Sequence, residues 1–346
     1  MSLNVIAYYK IMFLLWPLCY VLRAYDINLM NVAPFVAISA MIYMGLGIYQ
    51  SWWLGYHRIE SATNPIVIGM VVVQFQFILA VTTLSRSKFM ALLLLGMVAC
   101  FAVVILSGSR MPILVSSLIL VFWCFSSKIP SNLKVLVFLA CASFLYIHYL
   151  MNPYSVQYWL GKFTALWHDV AGQVQTAAPP AANVENVENG AQVTAQVESH
   201  AVSRAFPRKW IWLSGLQSIQ DYPFWGGGWS IEPTKEFLLK HGMPEQQFPP
   251  KMSPPTFRHF HNDFINISAR FGLVVTALLA VMHLLFLKFI DGKKNKIIWM
   301  LYLVELGALS LTDTVSVHYI TLTMWVLFSA LLAAHLLTKN PVRYNL

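Results

Sequence analysis

The chain has 346 residues, of which 58% are hydrophobic and 11% charged. A soluble domain carries about a quarter charged residues, so the composition excludes that class and indicates a polytopic membrane protein. The formal charge of +9 would suggest nucleic acid in a soluble chain, but here the basic residues stand mostly in short loops between apolar runs, where they orient a membrane protein. Membrane lipids are therefore expected partners and nucleic acid is not.

Crossing hydrocarbon takes about 20 mostly apolar residues per helix, and about nine runs meet that measure. Six precede a long polar stretch, at residues 3–22, 30–50, 65–84, 89–106, 111–126 and 133–150; three follow it, at 264–290, 297–311 and 319–338. The first run has no basic segment ahead of it and no small-residue cleavage site after it, which reads as a retained span with Lys10 inside. Cys19, Cys100, Cys124 and Cys141 all fall within apolar runs and read as small core residues rather than as a disulfide framework or metal site.

Orientation follows from Lys and Arg in the short loops. Arg23, Arg86 with Lys88, Lys128 with Lys134, the lysines of 288–296, and Lys339 with Arg343 fall on one side, expected to be cytoplasmic. The opposite short loops hold little positive charge beyond Arg58 and Arg110. The stretch 152–261 then lies outside the cytoplasm, in the periplasm of a bacterial inner-membrane protein. Its irregular backbone would leave peptide groups unsatisfied in hydrocarbon, so it must fold in water at the membrane face.

The expected fold is thus all-α and polytopic, with about nine or more transmembrane helices and one large periplasmic loop containing short amphipathic helices. Residues 1–150 form the N-terminal spans, 151–262 the loop and 263–346 the C-terminal spans. Within the loop, 171–203 lacks any aromatic anchor and reads as a mobile insertion. Amphipathic pieces flank it at 154–168, with Trp159, Phe163 and Trp167, and at 208–221, with Trp212, Leu216 and Ile219. The proline-rich 249–255 cannot continue a helix and should deliver Arg258, His259 and His261 in extended conformation.

Three basic positions suggest chemistry: Arg110, at a helix start after Gly108 and Ser109; Arg208, at the head of an aromatic helix; and His261. Guanidinium groups stay charged and present a planar fork of donors suited to a diphosphate. An imidazole can take a proton from an attacking hydroxyl. Together these parts would transfer a glycosyl group from a lipid diphosphate to a hydroxyl acceptor. Each also has a plainer reading: Arg110 as a helix-end anchor among lipid phosphates, Arg208 beside Lys209 and Trp210 as an interfacial anchor, and His261 as a polar residue ahead of an N-cap at Asn262 or Asp263.

Other features weigh less. His259, His261 and Asp263 include zinc-ligand types but lack a third strong ligand at helical spacing, so no metal is expected. Gly226, Gly227 and Gly228 follow no strand and precede no Lys-Ser or Lys-Thr pair, which makes a tight turn after Pro223 the better reading than a phosphate loop. Glu305, Asp313 and His318 flank the eighth span, and Glu305 at membrane depth is either functional or paired with a buried partner.

Ser109-Arg110 before a span, Arg208 four residues ahead of Trp212, Pro223 with Gly226 to Gly228, and His261-Asn262 leading into a helix that carries Gly272 together resemble the signature of the O-antigen ligases and the related O-antigen polymerases. The resemblance runs from about residue 101 to the C-terminus. It implies glycosyl transfer without metal or other cofactor, with an undecaprenyl-diphosphate-linked glycan as donor and, in ligases, an outer-core sugar of lipid A-core as acceptor. By position it implies that Arg110 and Arg208 bind the donor diphosphate and that His261 acts as base or orients the acceptor hydroxyl, with Trp212, Asn262, Arg258 and His259 as further substrate contacts. The chain departs from the pattern where Arg270 stands in place of an acidic residue usual before the helix glycine, and it has fewer expected spans than the ligases.

A single large loop favours a ligase over a polymerase, with an oligosaccharide transferase to protein within the same family as a further alternative. A lipid or ion transporter is the alternative of another class; it would call for internal repeats and charged or broken helices at the midplane.

Overall fold

The computed structural model describes residues 14–56, 58–59, 65–85, 88–153, 207–228, 231, 235–240, 260–312 and 319–337. The pieces expected at 154–168, 171–203 and 249–255, together with Arg258 and His259, lie outside the described residues. The described elements are helical: α1 (Leu15–Ala24), α2 (Leu29–Ile48, continued by a π-helical turn Tyr49–Trp53), α3 (Pro65–Thr83), α4 (Met90–Ser107), α5 (Arg110–Ser126), α6 (Ser131–Met151), α7 (Pro207–Asp221), α8 (Lys235–Lys240), α9 (Asp263–Phe289), α10 (Lys293–Thr312) and α11 (Tyr319–Leu336). Among them α2 with its π turn, α3, α4, α6 and α9 are long and apolar enough to cross a membrane, and α5 and 322–336 of α11 are shorter apolar helices. Every regular element among the described residues is a helix, and the molecule is a multi-pass membrane protein.

Local chemistry sets the helix ends. The Asn28 side chain accepts from the Met30 and Asn31 backbone N–H groups at 3.0 and 3.3 Å and starts α2, as a capping amide does. Pro65 opens α3, where its missing N–H is harmless. In hydrocarbon the β-branched run of α3 has no alternative to helix, since every peptide group must be bonded internally.

Burial separates the centre of the bundle from its rim. In α3 and α4, 89% and 72% of the apolar window is buried, against 17% in α6 and α9, so α3 and α4 form the core while α6 and α9 turn outward. Packing contacts fix the directions. Gly69 lies against Ser107 and Pro112, Ser116 donates to Gln76 Oε1 at 2.5 Å, and the Trp123 indole donates to Thr83 Oγ1 at 2.8 Å, so α3 and α5 run parallel. Gly96 meets Ala37, and Gly47 meets Leu106, making α2 and α4 parallel to each other. Leu79 beside Gly96 sets α4 antiparallel to α3. Asn152, after α6, donates its amide to Ser51 and to the Tyr56 carbonyl, which brings the end of α6 to the same side.

Arg58 and Arg110 consequently share one end of the bundle, while Arg23, Lys88, Lys128 and Lys134 occupy the opposite end. This partition agrees with the loop charges.

Close approach of α2 and α4 depends on small residues, as in many membrane interfaces. A Cβ at Gly96 would lie 2.6 Å from the Ala37 side chain and 2.8 Å from its backbone. Gly96→Leu is expected to lower stability by about 1–3 kcal/mol through overpacking, seen as an earlier unfolding transition of the purified protein in detergent; Gly45→Leu, which meets nothing within 4 Å, should not shift it.

The C-terminal helices join this core. The Trp299 indole donates to the His283 carbonyl at 3.0 Å and Asn262 Nδ2 donates to the Leu311 carbonyl at 3.0 Å, so α9 and α10 are antiparallel. α10 packs on α5 and α3, with the Tyr302 ring 5.5 Å from Phe77. Glu305 is buried and, among the described residues, neither carboxyl oxygen has a hydrogen-bond partner, so these residues do not supply the buried partner weighed from the sequence. A second, smaller core of Ile211, Ile219, Leu238, Phe260, Ile265 and Ala269 binds α7 and α8 to the first half of α9.

Candidate active site

α9 is one helix interrupted by a break. Gly272 has φ 84 and ψ 167, a conformation essentially restricted to glycine. A break strands the carbonyls before it and the N–H groups after it, which at membrane depth must find partners. The turn after α7 supplies them: Gly227 N–H donates to the Ala269 carbonyl at 2.9 Å, Gly228 N–H to the Arg270 carbonyl at 3.0 Å, and Leu273 N–H to the Pro223 carbonyl at 2.8 Å. The tight turn read from the sequence after Pro223 is therefore stitched into the broken helix. Gly226 and Gly272 permit the contact, because a Cβ at Gly226 would collide with the Arg270 backbone and one at Gly272 with the Phe224 carbonyl. The polypeptide from Pro223 to Gly228 and the α9 break form one unit.

That unit sets α7 beside the first half of α9. Gly215 lies against Ile265 and Phe260, while Pro223 to Gly228 meet 269–273, so the two run in the same direction. Arg208 stands in the first turn of α7, two turns before Gly215, at the same end of the pair as His261. Trp212 follows one turn later, packed on the small core, with a buried indole N–H that has no hydrogen-bond partner among the described residues.

At the head of α9, Asn262 is the N-cap: its Oδ1 accepts from Ile265 N–H at 3.1 Å, and its Nδ2 reaches the last turn of α10. One side chain thus serves orphan groups of two helix ends. His261 has φ 52, a left-handed backbone that costs a non-glycine residue about 1–2 kcal/mol. It is fixed between Phe260, which is fully buried, and the Asn262 cap, and is itself half-buried. Strained, over-determined backbone of this kind clusters at functional sites. Arg270, where the sequence departs from the ligase pattern, is 1% exposed.

A second corner lies between α4 and α5. Ser109 precedes α5, and Arg110 is its first residue, half-buried. Arg58 Nη2 donates to the Gly108 carbonyl at 2.8 Å, and Ile59 N–H to the Leu106 carbonyl at 3.2 Å, which lays the loop after α2 onto this corner. Two guanidinium groups and the positive end of α5, with no acidic residue in its first turn, make the corner favourable to an anion. Arg58 was not among the candidates read from the sequence, because an isolated Arg in a short loop reads only as a topological signal.

The structure therefore brings His261, Asn262 and Trp212 together with the helix that carries Arg208, and it sets Arg110 with Arg58 at another corner. α10 connects the two, packing on α5 and ending beside Asn262. No curated protein matches the chain. The sequence model of the O-antigen ligase family matches residues 95–280, more than half of the chain, from the first half of α4 to beyond the α9 break. The matched span contains Arg110, the α7 turn and His261, and the chain belongs to the O-antigen ligase family.

Proposed function

We propose that the protein is a glycosyltransferase that moves a glycan from undecaprenyl diphosphate to a hydroxyl of an outer-core sugar of lipid A-core, at the periplasmic face of the bacterial inner membrane. The observation that carries this reading is His261, held in left-handed backbone at the head of α9 within a family match that also contains the Arg110 corner. The His261 imidazole takes the proton of the acceptor hydroxyl as its oxygen attacks the anomeric carbon. The bond from that carbon to the diphosphate breaks, and undecaprenyl diphosphate leaves with the electron pair, with inversion. Arg110, Arg208 and Arg58 take up the charge of the leaving diphosphate, Trp212 and Asn262 line the acceptor side, and Arg258 and His259 approach from the loop.

In this reading the apolar runs make about nine spans, and the 151–262 segment lies in the periplasm, with 171–203 as a mobile insertion. The guanidinium groups supply the positive charge that a metal would otherwise bring, so transfer should survive EDTA. The gross test is deletion of the gene followed by electrophoresis of lipopolysaccharide. Loss of a ligase leaves bare core while polymer accumulates on its lipid carrier. Core bearing one repeat would instead identify a polymerase, and unaltered lipopolysaccharide with a glycoprotein lost would identify a protein oligosaccharyltransferase.

A further inference from the structure

The outer face of α10 carries a groove that neither the packing of the bundle nor the proposed reaction uses. Its volume is about 470 Å³, and it is lined by Lys293, Lys296, Ile297, Met300, Leu301 and Val304. The lysines stand together at one end, in the first turn of the helix, and the rest of the lining is apolar. Ile297, Met300 and Val304 are 45%, 42% and 63% exposed, so this face looks out of the bundle into lipid. From Lys293 to Val304 the helix rises about 16 Å, which matches one leaflet of a hydrocarbon core about 30 Å thick.

Positive charge is concentrated at the head of the groove. Lys288, Lys293, Lys294 and Lys296 stand close together against one acid, Asp291, on the side that loop charge makes cytoplasmic. Lys293 and Lys296 are neighbours on one helix face, where like charges repel, and no acidic residue lies in the first turn of α10. Elsewhere at this end of the bundle, Lys134 donates to the Ser127 carbonyl at 2.6 Å and Lys88 lies over the Phe89 ring. The ammonium groups of Lys293 and Lys296 have no such partner among the described residues.

We infer that the groove is a binding site for an anionic phospholipid, with the lipid phosphodiester between Lys293 and Lys296 and one acyl chain along Ile297, Met300 and Val304. Basic pockets beside transmembrane helices on the cytoplasmic side hold head groups of this kind. An anion between the two lysines relieves their repulsion, and the chain below it covers side chains that no helix covers. A zwitterionic head group brings its own ammonium to the lysines and gains less. Binding here does not depend on the glycosyltransferase reading, because the groove lies at the opposite end of α10 from the Leu311 carbonyl that holds Asn262.

The test gives the full-length protein in detergent dioleoyl phosphatidylglycerol, dioleoyl phosphatidylethanolamine or inorganic phosphate, and reads retained lipid by native mass spectrometry and stability by thermal unfolding. No transfer is measured, so failure here is distinct from failure of the proposed function. Phosphatidylglycerol is expected to stay bound and to raise the unfolding temperature, phosphatidylethanolamine to do so clearly less, and phosphate not at all. Lys293→Gln combined with Lys296→Gln should weaken phosphatidylglycerol binding by about tenfold or more. Both side chains are exposed, so the unfolding temperature without lipid should not change. Lys88→Gln combined with Lys128→Gln removes the same charge from the same end and should bind as the wild type does. Equal retention of the two lipids, or equal loss in the two double variants, would overturn the inference by reducing it to general attraction. Stabilisation by phosphate alone would overturn it in favour of a free anion, and a dimer in place of lipid adducts would give the face to a second copy of the chain.

Discussion

Gly272→Val is expected to leave little folded protein in the membrane. At φ 84 and ψ 167 a β-branched residue meets backbone strain of about 1–3 kcal/mol, and its side chain runs into the Phe224 carbonyl. The α7 turn would have to withdraw, releasing the bonds from Gly227 to Ala269, Gly228 to Arg270 and Leu273 to Pro223, each worth about 1 kcal/mol net and more if its groups stay unpaired away from water. The sum is a large part of the roughly 5–15 kcal/mol that holds a native protein together. The readout is protein level in membranes and a monodisperse peak in detergent, both expected to fall at least severalfold. Gly228→Ala makes the control: its φ is 86 but nothing stands within 4 Å of its Cβ position, so only the backbone strain remains and the protein should still be recovered. Equal behaviour of the two variants would show that the stitched break is not what supports the site.

This coupling also explains which parts of the structure were legible in the sequence. Apolar length placed the helices well because hydrocarbon leaves the backbone no other conformation: residues 65–84 appear as α3, 89–106 as α4, 133–150 as α6 and 264–290 as α9. The discrepancy is largest at α10, expected at 297–311 and found from Lys293, since lysines that end an apolar run do not end a helix that projects into water. The N-cap at Asn262 was one of two residues the sequence allowed. The break at Gly272 was not legible, because a lone glycine in an apolar run is ordinarily tolerated and its partner lies more than forty residues earlier. The register between α9 and α10, which sets Asn262 against the Leu311 carbonyl, is likewise something hydropathy does not encode.

His261 and Arg110 should show the largest losses of activity with the fold intact. At His261 the backbone and the side chain can be tested separately. Asn tolerates left-handed backbone better than most residues but has no imidazole, so His261→Asn preserves the turn between Phe260 and the Asn262 cap while removing the proton acceptor. Transfer is expected to fall about 100-fold or more, with protein level and unfolding temperature unchanged. His261→Gly relieves the strain and should unfold slightly later, yet be as inactive. Arg110→Ala removes one guanidinium from a corner where Arg58 remains, and loss of one charge-stabilising donor in a preorganised site commonly lowers kcat by about 10²–10³. Arg110→Lys should recover only part of that, because an ammonium keeps the charge but not the planar fork that grips two phosphate oxygens. Each variant is expressed in a strain lacking its own ligase, and lipopolysaccharide is compared by electrophoresis alongside protein level. If His261→Asn restores full banding, the imidazole is not the base, and the left-handed turn then serves only to aim Asn262 at the end of α10.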